Sequence, residues 1–208
     1  MSARTRWSLQ SRLKSKHCGT THGIGPGLVK RLGFLESMPP PNDIAVFVDI
    51  YGTLVEDRAP RPSTVDEMRT IPWIPGAIDA LKRFEAIGYQ PHVILSDEKV
   101  QGQFVDLFTL SDMHLALYYR AKALGARLTS FKTCQHEAHE GCVCRAPRPG
   151  LLQQIAKRYT LNLASSIVVS KDSAVVQSGF VAGCRSYLLD TWETLDLDHP
   201  VKSMETMA

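Results

Sequence analysis

Two groups of residues in this 208-residue chain have the types and spacing that chemistry requires. The first is Asp49, which follows the apolar run Ile44-Ala-Val-Phe-Val48 and precedes Gly52-Thr53. Five apolar or small residues read as a buried strand, and the glycine turns the chain directly after it. The carboxylate is thereby expected at the C-terminal end of a strand, where open α/β sheets carry their ligand groups. The second group is Cys134-x-His136-x5-Cys142-x-Cys144, three thiolates and one imidazole within eleven residues. That spacing is too close for a disulfide framework and suits a metal. Four such ligands complete a tetrahedral Zn²⁺ shell with no open position, so a structural zinc is expected. His139 lies in the same loop and is an alternative to His136 as the nitrogen ligand. Cys18 and Cys184 have no neighbours of this kind, and thiols used as ligands point to a reducing compartment.

These groups need a scaffold, and the pattern around them alternates strand and helix. Pro75-Gly76 opens a helix with Ile78, Leu81 and Phe84 at spacings of three, Gly88 closes it, and 91–95 reads as the next strand. A long helix is expected over 104–124, a strand over 128–131, a helix over 151–159 and a strand over 167–169. A helix over 175–182 and a last strand over 187–189 complete the series. Such alternation predicts an α/β domain at residues 44–190, a mainly parallel sheet with helices on both faces. Residues 191–208 read as a C-terminal tail. No window reaches the roughly 18 apolar residues that a membrane-spanning helix needs.

Residues 1–43 differ in composition from the rest. They hold seven Lys or Arg against Glu36 and Asp43, with apolar Trp7, Leu9 and Leu13 as one weak helical stripe. The readings open to such a basic extension are an organellar transit peptide, a solvated tail, and a retained arm that binds nucleic acid or a partner. A mitochondrial location is expected on the first reading and a cytoplasmic one otherwise. Gly23-Ile-Gly-Pro-Gly27 reads as a hinge, since no strand precedes it, and the prolines at 39–41 as a stiff boundary.

The segment Asp49-Ile-Tyr-Gly-Thr-Leu54 resembles the first motif of the haloacid dehalogenase (HAD) superfamily of phosphatases, Asp-x-Asp-Gly-Thr-Leu. The Cys/His loop running into Cys144-Arg-Ala-Pro-Arg-Pro-Gly150 is similar to that of the histidinol-phosphate and heptose-bisphosphate phosphatases of that superfamily. The resemblance spans about residues 44–190 and implies a Rossmann-like HAD fold with a zinc-stabilised loop. It also implies that Asp49 stands where the family has its nucleophile, which becomes an aspartyl-phosphate. Ser96, Arg145 and Arg148 are then candidates for holding phosphate.

Departures from the family pattern fall on the chemistry. The general acid/base position is Tyr51, the second motif reads Ser96-Asp97-Glu98 in place of Thr-Asn-Gln, and the lysine of the third motif is Ala146. Counting back from Gly179, Lys171 and Val175 take the two acidic positions of the fourth motif, with Asp172 one place out of register. Mg²⁺ needs a near-octahedral oxygen shell, usually with two carboxylates, so Asp49 alone does not hold it. An ammonium at Lys171 is expected to repel the cation and to pair with Asp49 within about 4 Å. Loss of a general acid/base costs roughly 10²- to 10⁴-fold in rate, and a tyrosine of ordinary pKa about 10 is a poor substitute.

The sequence therefore predicts a zinc-stabilised HAD domain, inactive as a phosphohydrolase and without Mg²⁺, that serves as a binding or scaffold component. Protein partners are expected, among them a large organellar ribonucleoprotein assembly, with nucleic-acid contact through the basic extension. The alternative is an active phosphatase for a small phosphorylated metabolite. In it Asp49 is the nucleophile, Asp172 turns in as a metal ligand, and Arg145, Arg148 and Ser96 hold phosphate.

Overall fold

The computed structural model describes residues 43–95, 106–136 and 138–195. The expectations for residues 1–42, for Ser96, Asp97 and Glu98, and for 196–208 lie outside the described residues.

Five strands form one parallel sheet: β1 (Ala45–Val48), β2 (Gln90–Leu95), β3 (Ser130–Thr133), β4 (Ile167–Ser170) and β5 (Arg185–Leu188), in the order β3-β2-β1-β4-β5. The helices are α1 (Val65–Thr70), α2 (Ala77–Ala86), α3 (Leu107–Ala123), α4 (Gly150–Tyr159) and α5 (Ser173–Ala182). β1 lies in the middle because its residues are apolar on both sides. Val46 and Val48 enter one core with Leu81, Phe84, Met113 and Leu117 of α2 and α3. Ala45 and Phe47 enter the other with Leu151, Leu152 and Ile155 of α4 and Val175 of α5. Alternate strand residues point to opposite faces, so one four-residue strand anchors both layers. Each fully buried Leu, Ile, Val or Phe contributes about 1.5–3 kcal/mol, which makes this double face the main source of stability.

The polar residues at the start of β2 and β3 are satisfied by one another. His92 of β2 meets Ser130 Oγ at 2.7 Å and Gln90 Oε1 at 3.2 Å. Burial pushes its pKa down to about 3, so the ring is neutral and serves as a core residue. At Gly179 a β-carbon would lie 2.2 Å from Ser186 Oγ and 2.6 Å from Val168 Cγ2. Only glycine lets α5 approach β4 and β5 that closely.

The expected elements recur with shifted ends, β3 beginning at Ser130 and β5 at Arg185. α1 was not expected, although its start carries a legible signal. Thr64 caps the helix, Glu67 reaches back to the Thr64 amide, and the capping box is complete. The packed domain also runs past Asp190: Trp192 is 2% exposed and belongs to the α2/α3-side core, with Leu195 packed against it.

Candidate functional site

Parallel pairing brings the C-terminal strand ends to one edge, with Val48 beside Val93 and Val169. The residues that follow, Asp49 and the Ser170–Asp172 segment, therefore meet there, and Leu95 ends β2 at the same edge. A cavity of about 610 Å³ opens at this edge, lined by Asp49, Tyr51, Gly52, Lys171, Asp172 and Val175 together with Glu56, Asp57, Arg58, Arg61, Ile74 and Leu95.

The loop after β1 is tightly built. Gly52 adopts φ +77° and donates to Val55 O at 2.8 Å, while Thr53 Oγ1 accepts the Lys171 amide at 3.0 Å. Thr53 O accepts the Trp192 indole N–H at 2.7 Å. The C-terminal segment thereby holds the loop that carries the site.

Asp49 is 7% exposed, and its Oδ1 has no hydrogen-bond partner. Burial raises its pKa to about 7; the hydroxyls of Thr53 and Ser170 offset this in part, and the Asp172 carboxylate adds to it. Tyr51 is half-buried, with the Arg61 guanidinium 4.4 Å from its ring centre. Arg61 is fixed by two hydrogen bonds to Asp57, at 2.8 and 2.9 Å. Burial pushes the Tyr51 phenol up to about 12, against the pull of Arg61.

The expected Lys171–Asp49 pair is not formed: among the described residues no ion pair joins them. The Lys171 stem runs beside Gly52, its Cδ 3.6 Å from where a β-carbon would stand, and the carboxylate that acts on Asp49 is that of Asp172. Asp172 caps α5, its Oδ1 accepting the Ala174 amide at 2.8 Å. Val175 is buried and lines the cavity. Glu56, Asp57, Arg58 and Arg61 were missed by sequence reasoning, although Asp57 and Arg61 stand four apart, a common ion-pair spacing.

The wall sets groups for and against a divalent cation. The orphaned Asp49 oxygen is suited to it, but Lys171 brings a like charge and Val175 supplies no oxygen. Of the other three carboxylates on the wall, Asp172 acts on Asp49 and has one oxygen engaged in the helix cap, Asp57 is held by Arg61, and Glu56 is the third.

The second cluster assembles as expected. Cys134 Sγ lies 3.6 Å from Cys142 Sγ and 3.3 Å from Cys144 Sγ, and His136 Nδ1 lies 3.1 Å from Cys144 Sγ. The four ligand atoms lie within 4.8 Å of one another, and roughly 3.3–3.8 Å is the edge of a tetrahedron with Zn–S and Zn–N bonds. These residues can hold a metal ion. Arg145 donates to His136 O and Arg148 to Cys142 O, so both tie the carbonyls of this loop, and neither lines the cavity at Asp49. Gly150 fits where its amide meets Val143 O at 2.9 Å, which closes the loop onto α4.

No family profile matches the chain. It is 26% identical over 148 residues to the D-glycero-β-D-manno-heptose-1,7-bisphosphate 7-phosphatase of Bordetella bronchiseptica, covering 70% of this chain and 80% of that one. The Helicobacter pylori enzyme of the same description is 26% identical over 159 residues, covering 74% and 87%. Among solved structures, D,D-heptose 1,7-bisphosphate phosphatase from B. bronchiseptica, complexed with magnesium and phosphate, superposes with a TM-score of 0.64 at 24% identity, over 71% of this chain and 81% of that one. The enzyme of that name from Burkholderia thailandensis gives 0.52 at 22% identity, over 71% and 79%. The chain has the HAD fold, and its relatives are the D,D-heptose-bisphosphate phosphatases of that superfamily.

Proposed function

We propose that this protein is a phosphatase-fold binding component that does not turn over phosphate esters. The observation that carries this reading is Tyr51. A phosphatase of this type needs a group at that place that takes and returns a proton near neutral pH. A phenol raised to about 12 and covered by Arg61 does not exchange one there. The Lys171 ammonium and the apolar Val175 on the cavity wall support the same reading. A zinc held by Cys134, His136, Cys142 and Cys144 stabilises the loop beside the domain core. Protein partners, a ribonucleoprotein assembly among them, and a mitochondrial setting belong to this proposal through the basic residues 1–43.

One observation favours a second reading, an active phosphatase. The Asp172 carboxylate, not the Lys171 ammonium, acts on Asp49, as it would if both held a cation between them. The relatives' activity agrees with it. Phosphate release from heptose bisphosphate, histidinol phosphate and an aryl phosphate, with Mg²⁺, separates the two. The binding reading expects no release above an Asp49→Asn control; turnover abolished by that substitution establishes the enzyme.

A further inference from the structure

We propose that the cluster of Cys134, His136, Cys142 and Cys144 is a peroxide-responsive switch, in which Cys142 is the sulfur that reacts, Cys134 the thiol that resolves it, and zinc is released. The switch requires zinc in the cluster and does not depend on turnover at Asp49.

Solvent reaches the three sulfurs unequally. Cys134 is 2% exposed and Cys144 1%, both in the core with Leu151, Leu152 and Ile155, whereas Cys142 is only partly buried. It stands between Gly141, where an added β-carbon would meet nothing within 4 Å, and Val143, which is 54% exposed. A cysteine that ligates zinc does so as the thiolate. A solvent-accessible thiolate next to a second thiol is the arrangement that oxidants attack reversibly. Cys134 Sγ lies 3.6 Å from Cys142 Sγ, so a resolving sulfur is in contact from the start. Cys144 is separated from Cys142 by Val143 alone. A bridge across one residue leaves the two side chains less freedom to reach the disulfide torsion of roughly ±85–100° than one closing the longer Cys134–Cys142 loop.

The oxidant is a peroxide. The Cys142 thiolate attacks one peroxide oxygen: the S–O bond forms, the O–O bond breaks, and hydroxide leaves a sulfenic acid behind. The Cys134 thiolate then attacks that sulfur: the S–S bond forms, the S–O bond breaks, and a second hydroxide leaves. Each sulfur gives up one electron, the peroxide takes both, and solvent protonates the two hydroxides to water. Two of the four ligands are then lost to the metal, too few for a closed tetrahedral site. The change reaches the rest of the domain through the loop's attachments. The Cys134 amide donates to Leu95 O at 2.9 Å, and the Gly150 amide meets Val143 O at 2.9 Å, so the loop ties β2 and β3 to α4. Cys134 and Cys144 share their core with Phe47 and Val175, and Val175 also lines the Asp49 cavity. Loss of the ion thus loosens one wall of that cavity.

The test treats the full-length, zinc-loaded protein with a graded excess of hydrogen peroxide. Zinc release is followed with a chromogenic chelator and the bridges by peptide mass spectrometry. One zinc ion is expected to leave for each disulfide formed, the bridge to map to Cys134 and Cys142, and a thiol reductant with added zinc to restore the cluster. Cys142→His keeps a zinc ligand but forms no sulfenic acid, and its zinc release in peroxide is expected to be about tenfold slower or more. Zinc retained while Cys142 passes on to the sulfinic acid, a bridge that leaves out Cys142, or release from Cys142→His at the parent's rate overturns the proposal. Protein that takes up no zinc overturns it as well. Mapping in the parent decides the matter even where the variant does not fold.

Discussion

The guanidinium of Arg61 lies 4.4 Å from the centre of the Tyr51 ring, beside the cavity that Asp49 lines. Asp57 holds it there through two hydrogen bonds. Arg61 is 12% exposed, so this stack is better shielded from water than a surface contact.

Cutting the clamp tests that arrangement. Asp57→Asn weakens the hold on Arg61, and Arg61→Ala removes the cation that draws the Tyr51 phenol down. A loss of about 1 kcal/mol in denaturant unfolding is expected from Arg61→Ala, the scale of a partly buried cation–π contact. Spectrophotometric titration should show no tyrosine at position 51 ionising below pH 10. A Tyr51→Phe difference spectrum with an ordinary phenol midpoint would contradict the burial that the proposal relies on.

The thiolate cluster leads to a metal prediction. Purified protein should carry about one Zn²⁺ per chain, and Co²⁺ substitution should give the absorption of a tetrahedral sulfur-rich site. Cys134 is buried, and burial pushes its thiol up, so an empty cluster would leave a protonated thiol group packed in the core. Cys142→Ser or chelation should lower stability by several kcal/mol, because ligand binding free energy is folding free energy in such loops. Protein that is metal-free as isolated, yet stable and indifferent to Cys142→Ser, would remove zinc from the account.

The scaffold was more legible in the sequence than the site. Strand positions followed from apolar runs that end in turn residues, and the second core showed itself in the unbroken Ala45–Val48 run, which alternation alone would have left half polar. The metal cluster was legible because its four ligands lie in one loop, so spacing fixes proximity. The Asp49 cavity was not, because its walls come from four separate chain segments. Side-chain direction decides whether Lys171 or Asp172 acts on Asp49, and a one-residue difference in a loop leaves no trace in periodicity. Arg145 and Arg148 show the same limit: both stand in a motif assigned to phosphate, and both donate to carbonyls of the Cys/His loop.

Asp49 gives the protein an unusual dependence on pH. Its carboxyl titrates near 3.8 when unfolded and at about 7 when buried. Between those values the folded protein holds a proton that the unfolded chain has lost, so this group's contribution to stability is greatest below about pH 4 and is lost as pH rises through about 7. On the order of 4 kcal/mol is at stake, at roughly 1.4 kcal/mol per unit. Asp49→Asn should abolish that part of the profile and stabilise the protein at pH 8. A parent profile that rises from pH 4 to 7 by the same amount as the variant's would show that a neighbouring cation compensates Asp49.

Trp192 carries the last prediction, because it joins a segment first read as tail to the loop that bears the site. Its ring is 2% exposed, and its Nε1–H donates 2.7 Å to Thr53 O. Thr53 in turn accepts the Lys171 amide and lies beside the Asp49 carboxyl. Trp192→Phe keeps most of the packing and removes the donor, leaving a buried carbonyl unmatched at a cost of about 1–3 kcal/mol. Trp192→Ala adds a cavity, and about 3–5 kcal/mol is expected. The two variants also differ locally. If the indole bond holds the loop, Trp192→Phe should increase amide exchange over residues 51–55 and at Lys171 more than over β5, measured by hydrogen exchange. Equal protection in the parent and in Trp192→Phe would make Trp192 a core residue with no part in positioning Asp49.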